Sequence, residues 1–149
     1  MTELVLVLGW LGLFAPVALG AMGSSIGCAR AGSAAIGAML DTETGYGRYV
    51  GASLMPSSQV IYGIVIMFSL QRDPMTAEAA AAVFGVGLLA GLALFYVGIR
   101  QGEVLASAIV ASKAKPEIFG ISLAPAAVLE GFAVFALVFA LVLSGTIPA

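Results

Sequence analysis

The chain is poor in charged side chains and has no histidine. Only 9% of its 149 residues are Asp, Glu, Lys or Arg, whereas soluble domains carry about 25%. The lack of histidine excludes metal sites built on imidazole, and the net charge of −2 indicates neither an acidic nor a basic partner. No basic cluster of the kind that binds nucleic acid occurs. The single cysteine, Cys28, excludes an intrachain disulfide and is expected to be a small packing residue.

Apolar residues make up 61% of the chain. A soluble fold of this length could not cover so much apolar surface, whereas lipid solvates it. A helix needs about 20 apolar residues to cross a bilayer. We therefore predict an all-α membrane protein with four transmembrane helices, at residues 4–40, 48–70, 78–112 and 118–146. The first is expected to be a retained span, because no basic residue precedes Arg30 as it would in a cleaved signal.

The basic residues predict the orientation of these helices. Arg72 is the one basic residue near the second loop, residues 71–77. The other five lie near the first and third loops: Arg30, Arg48, Arg100, Lys113 and Lys115. Because cytoplasmic loops are enriched in Lys and Arg, we predict that these two loops are cytoplasmic and that both termini lie on the extracytoplasmic side of the cell membrane. Arg30 and Arg100 are expected to mark the cytoplasmic ends of their helices or to pair with Glu103.

A helical hairpin occurs twice in the sequence. Gly51-Ala-Ser-Leu-Met-Pro56 and Gly120-Ile-Ser-Leu-Ala-Pro125 share their glycine, serine, leucine and proline at an offset of 69, and Arg30-Ala-Gly32 matches Arg100-Gln-Gly102 at an offset of 70. The repeats cover residues 1–70 and 78–149, joined by an extracytoplasmic loop. Two hairpins insert with the same topology and are related by an axis along the membrane normal. Rotation about such an axis extends to a ring of identical copies.

The first and third helices are rich in glycine, whereas the second and fourth carry bulky side chains. Gly23-x-x-x-Gly27 and Gly98-x-x-x-Gly102 allow helices to approach closely. This difference predicts a ring in which helices 1 and 3 are inner and helices 2 and 4 are outer. Ordinary close packing within a monomeric bundle is the alternative.

One carboxylate, Glu130, lies about twelve residues into the fourth helix. A charge at that depth costs about 2.5–3.5 kcal/mol, so we interpret Glu130 as functional, with a structural hydrogen bond as the alternative. Gln101 lies 14 residues before Lys115 and Glu130 lies 15 after it. Gln59 lies 15 residues after Thr44 in the first loop. All three polar side chains are therefore expected at a similar depth.

Ser58 precedes Gln59, and Tyr62 lies on the same helix face as Gln59. Pro56 removes a backbone donor and frees a carbonyl one turn earlier. Carboxylate, amide, hydroxyl and carbonyl oxygens together suit a hard cation. A bound monovalent cation would neutralise Glu130 and allow it to face lipid. Protonation of the carboxylate is the alternative way to neutralise it. Such a site predicts a rotary carrier. It would take up an ion from one path that leads halfway through the membrane and release the ion into a second such path.

At the offset of 69, the counterpart of Glu130 is Ile61. The chain therefore has one predicted ion site for four helices. Each charge moved across a membrane costs about 2.3 kcal/mol per 100 mV. A ring that moves fewer ions per turn can work against a steeper gradient, which favours a pump over a synthase.

Three motifs resemble the proteolipid subunit, called K or c, of the rotor ring of bacterial V-type (V/A-type) ATPases, and sodium-translocating members most closely. They are Leu54-Met-Pro-Ser-Ser-Gln-Val-Ile-Tyr-Gly63, Gly98-Ile-Arg-Gln-Gly102 and Ala126-Ala-Val-Leu-Glu-Gly131. The resemblance covers essentially the whole chain. It implies a Na+ site formed by the backbone carbonyl of Met55 with Ser58, Gln59, Gln101 and Glu130. It also implies that Tyr62 hydrogen-bonds the glutamate.

Two positions depart from the family pattern, which has leucine at Met55 and threonine at Ser58. A backbone ligand tolerates the first change, while serine keeps the hydroxyl with a less restricted rotamer. The resemblance also implies partners: identical copies in a ring, a stator a-type (I) subunit with an essential arginine, a central stalk and lipid. Hydrolysis of ATP would occur in a soluble headpiece. This chain has no phosphate-binding loop and is expected to be non-catalytic, without an organic cofactor.

Three alternatives remain open from the sequence. The same ring could translocate H+ only. A small four-helix proton-coupled multidrug transporter would also need a membrane glutamate, although the hairpin repeat and the paired glutamines argue against it. A structural four-helix scaffold would not depend on Glu130 for transport.

Overall fold

The computed structural model describes residues 2–148, and this part of the chain contains four helices long and apolar enough to cross a membrane. They are α1 (Thr2–Leu40), α2 (Tyr46–Leu70), α3 (Ala77–Ala114) and α4 (Pro116–Ser144). The predicted all-α fold of four spans is confirmed. Each helix begins one or two residues before the predicted start, and α1 and α2 end at the predicted residues.

Helices α2 and α4 are interrupted in their N-terminal halves. In α2, an α-helical segment Tyr46–Ser53 is followed by a 3-10 turn Met55–Ser57 and a second segment Ser58–Leu70. In α4, a 3-10 turn Pro116–Ile118 and a short segment Phe119–Ser122 precede the long segment Ala124–Ser144. The interruptions follow from proline, which lacks the N–H that a continuous α-helix needs.

Helices α1 and α3 run parallel and pack backbone against backbone. A Cβ atom added at Gly87 would stand 1.9 Å from the carbonyl oxygen of Gly12, and one added at Gly102 would stand 2.4 Å from the Cα of Gly27. No side chain other than hydrogen fits at these positions. The glycine pattern therefore produces a close α1–α3 pair, as expected for small-residue motifs in a membrane.

Helix α2 packs on α1, α3 and α4, and α4 packs on α2 and α3. Within residues 2–148, α1 and α4 do not contact each other. Viewed down the bundle, the helices therefore follow the order α1, α3, α4, α2 around a quadrilateral. The α1–α2 edge lies opposite the α3–α4 edge, and each edge is one of the two tandem hairpins.

Helix α4 lies at the periphery of the bundle. Only 17% of the residues in its most apolar stretch are buried, compared with 39% for α3. Phe132, Phe135 and Phe139 are each more than half exposed. Because lipid can solvate these apolar side chains, the exposure is compatible with a membrane and not with water.

Ion pairs join α1 to α3 toward the end of the bundle that carries the first and third loops. Glu103 pairs with Arg30 on α1 and, at 2.9 Å, with Arg100 on its own helix. Asp41 pairs with Lys113, which brings the ends of the two helices together. The expected pairing of Arg30 and Arg100 with Glu103 is confirmed.

Candidate ion-binding site

A group of polar side chains lies where α2, α3 and α4 meet. Gln59 on α2 and Gln101 on α3 are completely buried, with no exposed surface. Glu130 on α4 is half-buried, at the outer edge of the same group. A buried polar group costs free energy unless it is hydrogen-bonded, so the partners of these side chains determine what the group can do.

The carboxylate of Glu130 accepts three hydrogen bonds. The hydroxyl of Tyr62 donates to Oε1 over 2.5 Å. The amide nitrogens of Gln101 and Gln59 donate to Oε2 over 2.8 Å and 3.2 Å. Donors from α2 and α3 therefore hold the carboxylate of α4 in one orientation, and hydrogen bonds to a charged group are stronger than those between neutral groups.

The break in α2 positions Ser58 and Met55 beside the glutamines. The 3-10 turn Met55–Ser57 contains Pro56 and leads directly into the segment that begins at Ser58. The Ser58 hydroxyl donates to the backbone carbonyl of Met55 over 3.1 Å. The proline thus brings a hydroxyl and a backbone oxygen together at the site.

The side-chain amide of Gln59 lies among the oxygen atoms of its neighbours in the site. Its Nε2 lies 3.1 Å from Gln101 Oε1, 3.2 Å from Ser58 Oγ and 3.2 Å from Glu130 Oε2. An amide nitrogen has two hydrogens for these three acceptors. Its Oε1 is buried and has no hydrogen-bond partner. Rotation of the Gln59 amide by 180° would exchange Nε2 and Oε1. The side-chain oxygens of Gln59, Gln101, Ser58 and Glu130 would then surround one point.

The donor set fits a small monovalent cation. Oxygen atoms of carboxylate, amide, hydroxyl and backbone carbonyl are the ligands that hard cations prefer. Glu130 is the one carboxylate at the site, and the described residues 2–148 contain no group of three Cys, Asp or Glu side chains that could hold a metal ion. One negative charge is balanced by one positive charge. A bound cation would also give the unpartnered Gln59 oxygen a contact.

The structure brings all six residues of the predicted site into one group, although they differ in how they reach Glu130. Gln59, Gln101 and Tyr62 contact its carboxylate directly. Ser58 contacts Gln59, and the Met55 carbonyl contacts Ser58. These two are therefore linked to Glu130 through Gln59, and their role as ion ligands remains a prediction.

Sequence reasoning missed one member of the site. The backbone carbonyl of Ala126, one turn before Glu130, accepts a hydrogen bond of 3.3 Å from Gln101 Nε2. The side chain of alanine carries no signal of this role. The amide of Gln101 has two hydrogens, so a second acceptor was to be expected, but the sequence did not indicate which one.

Comparison with known proteins gives the family. The sequence matches the family of the ATP synthase C subunit twice, over residues 11–70 and residues 84–143. The A-type ATP synthase subunit K of Methanocaldococcus jannaschii is 34% identical over 138 residues, which cover 90% of this chain. The same alignment covers 62% of that protein, so the chain spans less than two thirds of its relative's length. Because the two family matches cover most of the chain, one for each hairpin, the chain belongs to the family of ATP synthase C subunits.

Proposed function

We propose that this chain is a rotor-ring subunit of a V-type (A/V-type) rotary ATPase and carries Na+ across the cell membrane on Glu130. Family membership supports the rotor role. One observation supports the ion: Tyr62, Gln59 and Gln101 donate to the Glu130 carboxylate beside Ser58, and the buried Gln59 oxygen next to it has no partner. The ligands would be Glu130, Gln59, Gln101, Ser58 and the Met55 carbonyl.

The proposed mechanism depends on the charge of the site. With one cation bound, the carboxylate is neutralised and the half-exposed edge of α4 can face lipid. Without the cation, the negative charge is costly in hydrocarbon. The ring therefore turns through lipid only with its sites occupied. An arginine on a stator a-type (I) subunit would pair with the empty carboxylate and release the ion into an exit path.

Each copy would carry one ion. The position that matches Glu130 in the first hairpin is Ile61, an apolar side chain that is 57% exposed. A ring of such copies moves half as many ions as it has hairpins. At about 2.3 kcal/mol per charge per 100 mV, fewer ions per ATP allow a steeper gradient. We therefore propose that the assembly pumps, driven by ATP hydrolysis in a headpiece connected through a central stalk.

Orientation and partners complete the proposal. Both termini would lie outside the cytoplasm, and the ends of α1 and α3 joined by Asp41 and Lys113 would face the central stalk. Identical copies and lipid would surround each protomer. The chain itself would be non-catalytic.

A carbodiimide labelling experiment on the purified ring tests the proposal. A protonated carboxyl group within the membrane gives its proton to the carbodiimide and adds to it, and a bound Na+ excludes the proton that this reaction needs. We expect millimolar NaCl, but not choline chloride of equal ionic strength, to slow modification of Glu130 at neutral pH. A Glu130→Gln ring should not be labelled at this position. Labelling that is equally fast with and without Na+ would show that the ring carries H+.

A further inference from the structure

A buried serine on α1 hydrogen-bonds the backbone of α2 beside the proposed ion site. The backbone N–H of Val60 donates to the hydroxyl oxygen of Ser24 over 3.1 Å. Only 6% of the surface of Ser24 is exposed, and a hydroxyl in such a position costs free energy unless it is hydrogen-bonded. Val60 directly follows Gln59 in the sequence. Helix α1, which contributes no side chain to the group around Glu130, therefore reaches the site through this bond.

The bond lies at the start of a helical segment. Ser58–Leu70 begins directly after the 3-10 turn Met55–Ser57, and Val60 is its third residue. The first four backbone N–H groups of a helix have no partner within that helix, and the side chain of the preceding residue often accepts from the second or third. Ser57 holds that preceding position but makes no such hydrogen bond. The hydroxyl of Ser24 therefore acts as the N-cap of this segment and is supplied by a neighbouring helix.

The face of α1 around Ser24 fits closely against the break in α2. Gly20 and Gly27 lie about one turn to either side of Ser24 on the same face. A Cβ added at Gly20 would stand 2.7 Å from the carbonyl oxygen of Gln59. One added at Gly27 would stand 2.8 Å from the Cβ of Pro56. The two glycines therefore bring the two backbones close enough for the short side chain of serine to reach α2.

The second hairpin replaces this hydrogen bond by an apolar contact. At the repeat offset of 70, the counterpart of Ser24 is Leu94. At the offset of 69, the counterpart of Val60 is Leu129. Leu94 is buried in an apolar cluster against which Leu129 packs. Because Leu129 is the sixth residue of the segment Ala124–Ser144, its N–H lies beyond the first four and needs no cap. The hydroxyl thus occurs in the hairpin whose break directly precedes two proposed ligands.

We propose that Ser24 is a positioning residue of the ion site. Its hydroxyl holds the first turn of the segment Ser58–Leu70, and the first two residues of that turn are the proposed ligands Ser58 and Gln59. The size and rigidity of a group of ligands determine how well it binds a given cation, so a frayed first turn would bind Na+ less tightly. Ser24 acts through α2 and does not contact the ion. The inference rests on the proposed function and adds α1 to the helices that determine ion affinity.

Hydrogen–deuterium exchange tests the cap, whichever ion the ring carries. Ser24→Ala removes the acceptor, and alanine favours the helical conformation of α1. The purified ring is exposed to D2O, and mass spectrometry follows a fragment that contains Val60. We expect an amide in this fragment to exchange about fivefold faster in Ser24→Ala than in the unmodified ring, the ratio that corresponds to the loss of a typical N-cap. An unchanged rate of exchange would overturn the proposal.

Ser25→Ala is the matched control. Ser25 is exposed, and its hydroxyl donates to the carbonyl of Met22 on its own helix over 2.9 Å. Its removal should change neither the exchange of the Val60 fragment nor the binding of Na+. An effect as large as that of Ser24→Ala would show that the loss of any hydroxyl from this part of α1 is sufficient, and would overturn the proposal.

A second test measures Na+ binding by carbodiimide labelling of the same rings. In Ser24→Ala, the Na+ concentration for half-maximal protection of Glu130 should rise about fivefold. Tyr62 and Gln101 still donate to the carboxylate, so labelling without Na+ should keep its rate and its dependence on pH. Equal changes in the response to Na+ and in the response to pH would indicate a general loosening of the ring and would contradict a role at the ligands.

Failure of this inference is distinguishable from failure of the proposed function. Na+ protection that is present in the unmodified ring and unchanged in Ser24→Ala would refute the positioning role alone. A lack of Na+ protection in the unmodified ring would refute the proposed ion, while the exchange measurement would still decide whether Ser24 caps α2.

Discussion

The hydroxyl of Tyr62 on α2 donates a 2.5 Å hydrogen bond to Oε1 of Glu130 on α4. The bond joins the two hairpins at the proposed ion site and leaves Oε2 to the glutamines. Removal of the hydroxyl in Tyr62→Phe should therefore loosen the carboxylate without removing an ion ligand. A hydrogen bond to a charged group contributes about 1.5–3 kcal/mol, and we expect a Na+ concentration for half-maximal protection about tenfold higher or more. An unchanged value would show that the bond does not orient the carboxylate.

Replacement of Glu130 by glutamine should abolish transport but not assembly. The neutral amide resembles the occupied site in charge, so Glu130→Gln subunits should still form a ring. Transport is measured as 22Na+ or proton uptake by vesicles that contain the complete ATPase. Glu103→Gln is the matched control, because Glu103 is ion-paired with Arg30 and Arg100 outside the site. Retained transport by Glu130→Gln would contradict this prediction and agree with a structural four-helix scaffold, for which transport does not depend on Glu130.

Gln101 should influence Na+ binding more than proton binding. In Gln101→Leu, Glu130 loses its 2.8 Å hydrogen bond, the Ala126 carbonyl loses its donor, and a cation loses an amide oxygen. A proton bonds to the carboxylate itself and needs no other ligand. We expect Na+ affinity to fall about 100-fold, which corresponds to roughly 2.7 kcal/mol, while labelling without Na+ continues. An equal loss of affinity for Na+ and for protons would mean that Gln101 only holds the helices together.

Na+ and protons should compete for Glu130. Both neutralise the same carboxylate, so a lower pH fills the site with protons and displaces Na+. In the range where protonation dominates, we expect the Na+ concentration for half-maximal protection to rise about tenfold for each unit of pH decrease, by mass action. Labelling rates measured over a series of buffers from acidic to alkaline pH provide the test. Protection by Na+ that is independent of pH would place the ion elsewhere.

The α1–α3 contact should not tolerate a methyl group at Gly87. Because a Cβ there would stand 1.9 Å from the Gly12 carbonyl oxygen, Gly87→Ala must move the helices apart, at a cost of about 1–3 kcal/mol. The measured quantity is the temperature at which the purified ring dissociates. Gly37→Ala is the control, since a Cβ at Gly37 meets no atom within 4 Å. Similar dissociation temperatures for both variants would contradict the close contact.

The sequence predicted the spans and the depth of the polar group, because charge, glycine and proline mark helix ends and residue counts convert directly into height. Apart from the Tyr62–Glu130 hydrogen bond, which the family resemblance implied, it did not predict the contacts within the site. Side-chain torsions determine that Gln59 presents its nitrogen to three oxygens and leaves Oε1 without a partner, and helical periodicity carries no information about those torsions. The glycines of α1 and α3 show the same limit, because the sequence does not indicate which of them lie at the contact between the two helices. Gly87 and Gly102 contact α1, whereas Gly32 and Gly37 meet open space.

The backbone contact between α1 and α3 has a mechanical consequence. Side chains between two helices can change rotamer under load, whereas carbonyl oxygens pressed against glycine Cα atoms have no such freedom. In the proposed ring, a force on Glu130 that reaches α3 through Gln101 would therefore pass on to α1 with little elastic deformation. In the proposed rotor ring, elastic energy stored during rotation would then have to reside in other parts of the assembly.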